Sequence, residues 1–395
     1  MTRTAAPKAW HALAAVWLAC GLAACQFPSA PVDRTSTSVR FDREEGEPLP
    51  PIADRDWLAA WPAWLSSCQA FASAANRKQT APWQNVCNTA RGLQPNTAEQ
   101  VRDFFSQRMD RYRVVALEGE SPLGVAPFGN TAAVRSAVAR EHESGLVTGY
   151  FEPVLEASRE RMEPFVVPLY RVPVPLPTAT RAELEASGRL QGQELLWVRD
   201  PLEAFVLEVQ GSGRVHLTDG SFVRLAYGAN NGHAYRSIGR WLVEQGELQP
   251  QTVSLQSIVE WAHAHPQRVR ELLDQNPRMV FFRELALSEA SAGPVGTGPV
   301  GTLGVALTPD ISVAVDPRYL PLGAPLLIQV IAPANAQGPT RIAIAQDTGG
   351  AIHGALRIDW FVGQGPEAAK VAGNLHAQAT VQLFVPRGVA PEDLL

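Results

Sequence analysis

The run Arg341-Ile342-Ala343-Ile344-Ala345, followed at once by Gln346-Asp347-Thr348-Gly349-Gly350, constrains this chain more than any other stretch. Its apolar alternation has the two-residue period of a strand, so Asp347 falls where that strand runs out. Thr348-Gly349-Gly350 then supplies the permissive dihedrals of a tight loop, and a glycine pair lets a ligand or another backbone approach closely. Further on, Asp359 stands between apolar Ile358 and aromatic Trp360-Phe361. A carboxylate placed there is partly desolvated, which raises its pKa and lets it hold a proton near neutral pH. Upstream, Val313-Ala314-Val315-Asp316-Pro317 ends another short strand in a third aspartate before a proline-fixed turn. Each aspartate can be a simple turn cap that accepts backbone N–H bonds, or the three can belong to one site; taken singly, the residues leave both readings open.

The segments V-D-P-R-Y-L-P-L-G from Val315, A-Q-D-T-G-G-A-I-H-G from Ala345 and R-I-D-W-F from Arg357 resemble the three-aspartate domain of the membrane-bound lytic transglycosylase A family. Gly149-Tyr150-Phe151-Glu152-Pro153, the run from Asp200-Pro201 to Gln210-Gly211-Ser212-Gly213, Gly232 to Gly239, and Gln275-Asn276-Pro277 with Phe281-Phe282 are similar to that family's second domain. The match is ordered and spans roughly residues 50 to 386. The resemblance implies a mainly β chain with some helices, in which a double-psi β-barrel domain carries a smaller inserted β-barrel. It places the larger barrel at 55–151 and 283–395, with the three-aspartate part at 300–386 and the insert, a substrate-binding domain, at 152–282.

It also implies cleavage of the MurNAc–GlcNAc β-1,4 bond of peptidoglycan without water, leaving a 1,6-anhydro end. Asp359 then corresponds to the acid/base, with Asp347 and Asp316 as supports. One carboxyl can serve both half-reactions, because donating a proton leaves the base that the second step requires. Gln210-Gly211-Ser212-Gly213 resembles a substrate-contacting loop, with a plain strand turn as the competing reading. Glu152 is the strongest rival carboxylate and is expected to line the cleft between domains. A water-using hydrolase and a peptidoglycan-binding lipoprotein remain as alternatives. His233, His353 and His376 lack metal-ligand spacing, and no nucleotide or dinucleotide fingerprint occurs, so neither metal nor cofactor is expected.

The chain's 395 residues, 46% of them hydrophobic, suffice for about two domains. Arg3 and Lys8 precede an apolar run from Ala12 to Leu22 that ends in Leu22-Ala23-Ala24-Cys25, the layout of a secretory signal over residues 1–24. Small residues before a cysteine resemble a lipoprotein processing site, with Cys25 lipidated, and Gln26 after it favours the outer membrane, facing the periplasm. Removing the leader takes Lys+Arg from 34 to 32 against 39 acidic residues, a net charge of −7, which argues against nucleic acid as a partner. A monomer on glycan strands is the expectation. Residues 25–54, rich in Pro, Ser, Thr and charge, are expected to be a flexible tether. Cys68 and Cys87 form an even pair in an exported chain, most simply a disulfide.

Trp57, Trp61 and Trp64 predict a helix from Asp56 to about Phe71, and Thr97-Ala98-Glu99-Gln100 a capping box opening a helix to about Met109. Strands are expected at Val114–Leu117 and Gly145–Phe151, then an extended proline-rich crossing from Pro164 to Pro177. Leu195–Val198, Ala204–Val209, Arg214–Leu217 and Phe222–Tyr227 are strand candidates, the last two joined by an Asp219-Gly220 hairpin. Three helical stretches follow, then a Gly/Pro/Ala-rich loop from Ser288 to Gly298.

Overall fold

The computed structural model describes residues 36–46, 48–72, 80–119, 140–250, 252–286, 298–332 and 337–395. The leader, Cys25 and the start of the tether lie outside the described residues, as does nearly all of the loop from Ser288 to Gly298. Among the described residues no helix is long and apolar enough to cross a membrane.

The tryptophan stripe forms as its spacing requires. Helix Asp54–Phe71 buries Trp57, Trp61, Trp64, Cys68 and Phe71 on one face. Trp61 meets Phe104 edge-on at 5.0 Å, and Trp64 meets Trp83 at 5.5 Å, so the stripe is core. The Cys68–Cys87 disulfide, with Cα atoms 5.4 Å apart, ties this helix to helix Gln84–Arg91. Helix Ala98–Arg108 opens with Thr97 Oγ1 accepting from Gln100 N. The reciprocal bond is displaced by one residue, since Gln100 Oε1 accepts from Asn96 N at 2.9 Å.

Strand β1 (Ser36–Arg43) pairs antiparallel with β2 (Met109–Gly119), which also carries the short β3 (Arg140–His142). This corrects the expectation of a tether as far as Asp54. Val39 and Phe41 pack on the core while Arg40 is bound by Asp42 and Glu141. Two apolar residues in a charged edge strand leave little pattern to detect.

After β4 (Gly145–Glu152) the chain builds the smaller barrel: β5 (Val154–Ser158), β6 (Val167–Tyr170), β7 (Glu194–Val198), β8 (Ser212–Leu217), β9 (Phe222–Asn230) and β10 (Val280–Ala286). Their order is β10-β9-β8-β5-β7-β6, and a parallel bridge between Arg171 and Phe282 brings the two edges together. β6 falls inside the expected proline-rich crossing. The expected strand at Ala204–Val209 is instead helix Pro201–Gln210. Leu202 and Phe205 pack on the helices while Ala204 and Leu207 pack on the sheet, so the segment is apolar around its circumference and its period is ambiguous. The end signals decide: Asp200 Oδ1 accepts from Leu202 N at 2.6 Å, Pro201 takes the first turn, and Gly211 caps at φ 79°. Helices Ile238–Glu244, Leu255–Ala264 and Val269–Leu273 follow β9, as expected.

The chain then returns with β11 (Ser312–Ala314), β12 (Pro325–Ile331), β13 (Gln337–Asp347), β14 (Ile358–Gln364), helix Gly365–Asn374 and β15 (His376–Pro386). β15 pairs with β12 and β4, so β15-β12-β13-β11-β14-β4 closes on itself as a six-stranded barrel. β11 runs parallel to β13, and β14 parallel to β4. The architecture is therefore mainly β with a double-psi type barrel made by both ends of the chain and a smaller β-barrel between them.

Candidate active site

Neighbouring strands set two of the three aspartates side by side. The register pairs Ala314 of β11 with Asp347 of β13 on one side and with Asp359 of β14 on the other, and Asp359 with Thr148 of β4. Paired residues project from the same face, so small Ala314 separates two carboxylates. The ladder skips Gln346 between its pairings at Ala345 and Asp347, a bulge of the kind that re-aims side chains beside functional sites. Gln346 is fully buried: its Nε2 donates to Ala63 O at 2.8 Å, and its Oε1 accepts from Ser312 Oγ at 2.6 Å. The tryptophan helix thus holds the strand end from which Asp347 departs.

The surroundings of the three carboxyls differ. Asp347 is half-buried and heavily bonded: Oδ2 accepts from Tyr150 OH at 2.9 Å, and Oδ1 from Thr302 N at 2.9 Å and Thr302 Oγ1 at 3.0 Å. Burial raises its pKa against the pull of those donors. Asp359 is also half-buried, but among the described residues its one hydrogen bond comes from Thr148 Oγ1, at 2.5 Å. Burial pushes its pKa up to about 6; the Thr148 bond and the charge of Arg357 act downward, and the charge of Asp347 upward. Thr148 is itself oriented, because its Oγ1 accepts from Arg357 Nη2 at 2.8 Å. Asp316 is buried and ion-paired to Arg318 at 2.5 Å, and it accepts from Gly354 N at 2.8 Å. Burial alone would raise its pKa, but these donors outweigh burial and hold it below the usual range.

Gly349 and Gly350 serve by space. Neither has a positive φ, which in this turn belongs to Gly354 at 110°. A Cβ on Gly349 would stand 2.6 Å from the Ile352 side chain, and one on Gly350 3.0 Å from Arg278 Nη2.

A cavity of about 660 Å³ opens beside this row, between the two barrels. Tyr150 and Asp347-Thr348-Gly349-Gly350 line one wall; Gln210, Gly211 and Ser212 line the other. The loop at 210–213 is thus the end of a helix and the start of β8, with Gln210 Oε1 accepting from Phe151 N at 3.0 Å. Gly213 does not line the cavity; a Cβ there would meet Pro153 O at 3.2 Å. Neither Asp359 nor Asp316 lines the cavity; Asp359 stands one strand beyond Ala314 from Asp347, and Asp316 is bonded to Arg318 and Gly354. Glu152 departs from expectation. Its side chain is fully buried, 2.7 Å from Arg224 and 3.2 Å from Arg214, because β4 carries it under the smaller barrel instead of into the cleft. Thr148, Tyr150, Thr302 and Arg357 were not singled out from sequence. Thr148 and Tyr150 stand two apart on β4, a spacing that puts both on one face, whereas nothing local marks Thr302.

Comparison with known proteins places these features in context. Residues 146–283 match the MltA specific insert domain, and residues 311–385 match the 3D domain. The chain is similar to membrane-bound lytic murein transglycosylase A of Escherichia coli, with 38% identity over 237 residues, 57% of this chain and 61% of that protein. The sequence match thus spans less than two thirds of the E. coli relative. The Vibrio cholerae protein of the same name is 37% identical over 269 residues, 65% of this chain and 70% of that one. Among solved structures, a lytic transglycosylase, LtgG, of Burkholderia pseudomallei is 37% identical, covering 88% of this chain and 96% of its own with a TM-score of 0.55. E. coli MltA with bound chitohexaose is 27% identical, with a TM-score of 0.65 over 88% of this chain and 94% of that one.

Proposed function

The chain belongs to the membrane-bound lytic murein transglycosylase A family, and from that premise we propose that it cleaves the MurNAc–GlcNAc β-1,4 bond of peptidoglycan, with Asp359 as the single acid/base. The observation that carries this reading is the contrast within the carboxylate row. Asp347 has its oxygens engaged by Tyr150 and Thr302, whereas Asp359 among the described residues keeps one hydrogen bond, and burial raises its pKa to about 6. A carboxyl in that range is ready both to give and to take a proton near neutrality.

Asp359 first gives its proton to the glycosidic oxygen as the bond from that oxygen to C1 of the muramoyl residue breaks. The C6 hydroxyl of the same residue then attacks C1, and the Asp359 carboxylate accepts the hydroxyl proton. The 1,6-anhydro ring closes, the acid is restored and no water is consumed. Asp347 favours the protonated form of Asp359 through its charge. Tyr150 OH stays protonated and donates to Asp347, since burial pushes its pKa well up. Because the nucleophile belongs to the substrate, the two-carboxylate spacing of ordinary glycosidases is not required.

The smaller barrel, residues 152–282, would hold the glycan through Gln210 and Ser212. The bound chitohexaose of E. coli MltA supports a sugar-chain ligand. Lipidation at Cys25 would anchor the enzyme to the outer membrane, facing the periplasm, where its substrate lies. Digestion of purified sacculi followed by mass spectrometry of the muropeptides tests the reaction. Products one water lighter than those of a hydrolase are expected; reducing ends would identify a water-using enzyme, and sacculi bound without release would identify a binding protein.

A further inference from the structure

The wall of the cavity opposite Asp347 carries positive charge for which the proposed glycan chemistry has no use. β10, β9 and β8 align Arg283 with Ala226 and Ala226 with Ser212, and all three line the cavity. Arg283 therefore lies in one row with the sugar-facing Ser212, with only a methyl group between them. Arg278, just before β10, lines the same cavity. It is held in place at two points: its Nη1 donates to His233 O at 3.1 Å and its backbone N to Asn276 Oδ1 at 3.3 Å. Its Nη2 faces Gly350 across the cleft, 3.0 Å from where a Cβ would stand.

Among the described residues neither arginine has a carboxylate within ion-pair distance. The acids of the same cavity are otherwise engaged. Glu208 is bound by Arg181 at 2.5 Å and accepts from Val280 N at 2.8 Å, and Asp347 is bound by Tyr150 and Thr302.

We propose that Arg278 and Arg283 form a carboxylate-reading wall that engages the anionic stem peptide on the muramoyl residue, making the enzyme selective for peptide-bearing over bare glycan. The inference rests on the reading of the substrate as peptidoglycan. Hydroxyls and acetamides of the sugar chain carry no charge, so the anions of the repeating unit are the free carboxylates of the stem or, once the stem is removed, the one lactyl carboxylate left in its place. Guanidinium groups pair with carboxylates in a planar two-point fashion that ammonium groups do not reproduce. The arginines line the same cavity as Asp347, so a stem that leaves the muramoyl residue on the side of the smaller barrel would meet them.

The test compares two substrates: glycan strands from sacculi with stems intact, and the same strands stripped by an amidase. For Arg278→Gln and Arg283→Gln, kcat/KM on peptide-bearing strands is expected to fall about tenfold each, as for loss of a charge-assisted hydrogen bond, with a smaller loss on stripped strands, which keep one lactyl carboxylate per repeat, and no loss in the binding of uncharged chitohexaose. Arg278→Lys should recover only part of the loss. Equal losses on both substrates, or no loss on either, would overturn the proposal. Calorimetric titration with a disaccharide-tetrapeptide keeps the two readings apart. Binding that weakens in the variants while the wild type releases no anhydro product would leave the stem-reading wall standing and remove the catalytic reading instead. Thermal melting accompanies each variant, and Arg283, exposed on β10, provides the variant least able to disturb folding.

Discussion

Glu152 and Asp359 lie in paired neighbouring strands, β4 and β14, and both are carboxylates withdrawn from water, yet the protein treats them in opposite ways. Glu152 is closed off completely and clasped by Arg214 and Arg224 from the smaller barrel. Asp359 keeps partial access to solvent and is met by a hydroxyl, with its nearest cation, Arg357, bonded to that hydroxyl instead of to the carboxylate. Asp316 sides with Glu152, ion-paired to Arg318. A carboxylate clasped by guanidinium groups serves the fold: at Asp316 the donors hold the pKa below the usual range, and at Glu152 two arginines oppose the rise that burial imposes. One held by a neutral donor can change protonation state at little cost, and serves chemistry. Burial by itself therefore does not identify the catalytic acid; the identity of its partners does.

The largest effect that could break this contrast is at Asp359. Asp359→Asn keeps the shape but can neither donate the proton nor accept one, so both half-steps fail. Anhydro-muropeptide release should drop by at least the ~10²–10⁴ that loss of a general acid costs. Melting temperature at pH 7 should not fall, because the substitution removes a partly desolvated charge. Near-normal release from this variant, with release abolished in Asp347→Asn, would assign the proton transfers to Asp347.

Glu152→Gln should do the reverse. Removing the charged partner from a buried ion pair costs about 3–5 kcal/mol, visible as a lower midpoint in urea unfolding with an unchanged slope. Activity per folded molecule should be retained. A variant of unaltered stability that has lost turnover would put Glu152 in the site, as the sequence had suggested.

That suggestion shows where sequence reasoning stopped. The end of β13, the turn after Asp347 and the apolar setting of Asp359 were all legible, because each is a local pattern of alternation, glycine and neighbouring aromatics. The tryptophan helix was legible for the same reason. The row Asp347–Ala314–Asp359–Thr148 was not, since it depends on the register of four strands drawn from residues 145–152 and 312–364 and on a bulge at Gln346. Glu152 was misplaced because its position beside Pro153 says nothing of the arginines that β8 and β9 bring to it. Helix Pro201–Gln210 was misjudged through its apolar period, though Asp200-Pro201 before it and Gly211 after it are helix punctuation.

The finest test of the contrast concerns the neutral donor. Thr148→Val preserves shape and removes the hydroxyl that bonds Asp359. That bond stabilises the ionised carboxylate, so its loss should raise the pKa of Asp359 above the value of about 6 that burial gives it. Because the first half-step needs the protonated acid, kcat/KM of the wild type should decline as pH rises through that value. In the variant the declining limb should move to higher pH, by less than about one unit if the hydrogen bond is of ordinary strength. Arg357 provides the opposing outcome. Its Nη2 loses the Thr148 acceptor in the same substitution, and if it swung onto the carboxylate it would turn Asp359 into a paired acid like Asp316, moving the limb to lower pH. A shift in that direction, or none, would mean that the separation of Arg357 from Asp359 does not depend on Thr148, and that the hydroxyl is not what keeps the acid free to exchange its proton.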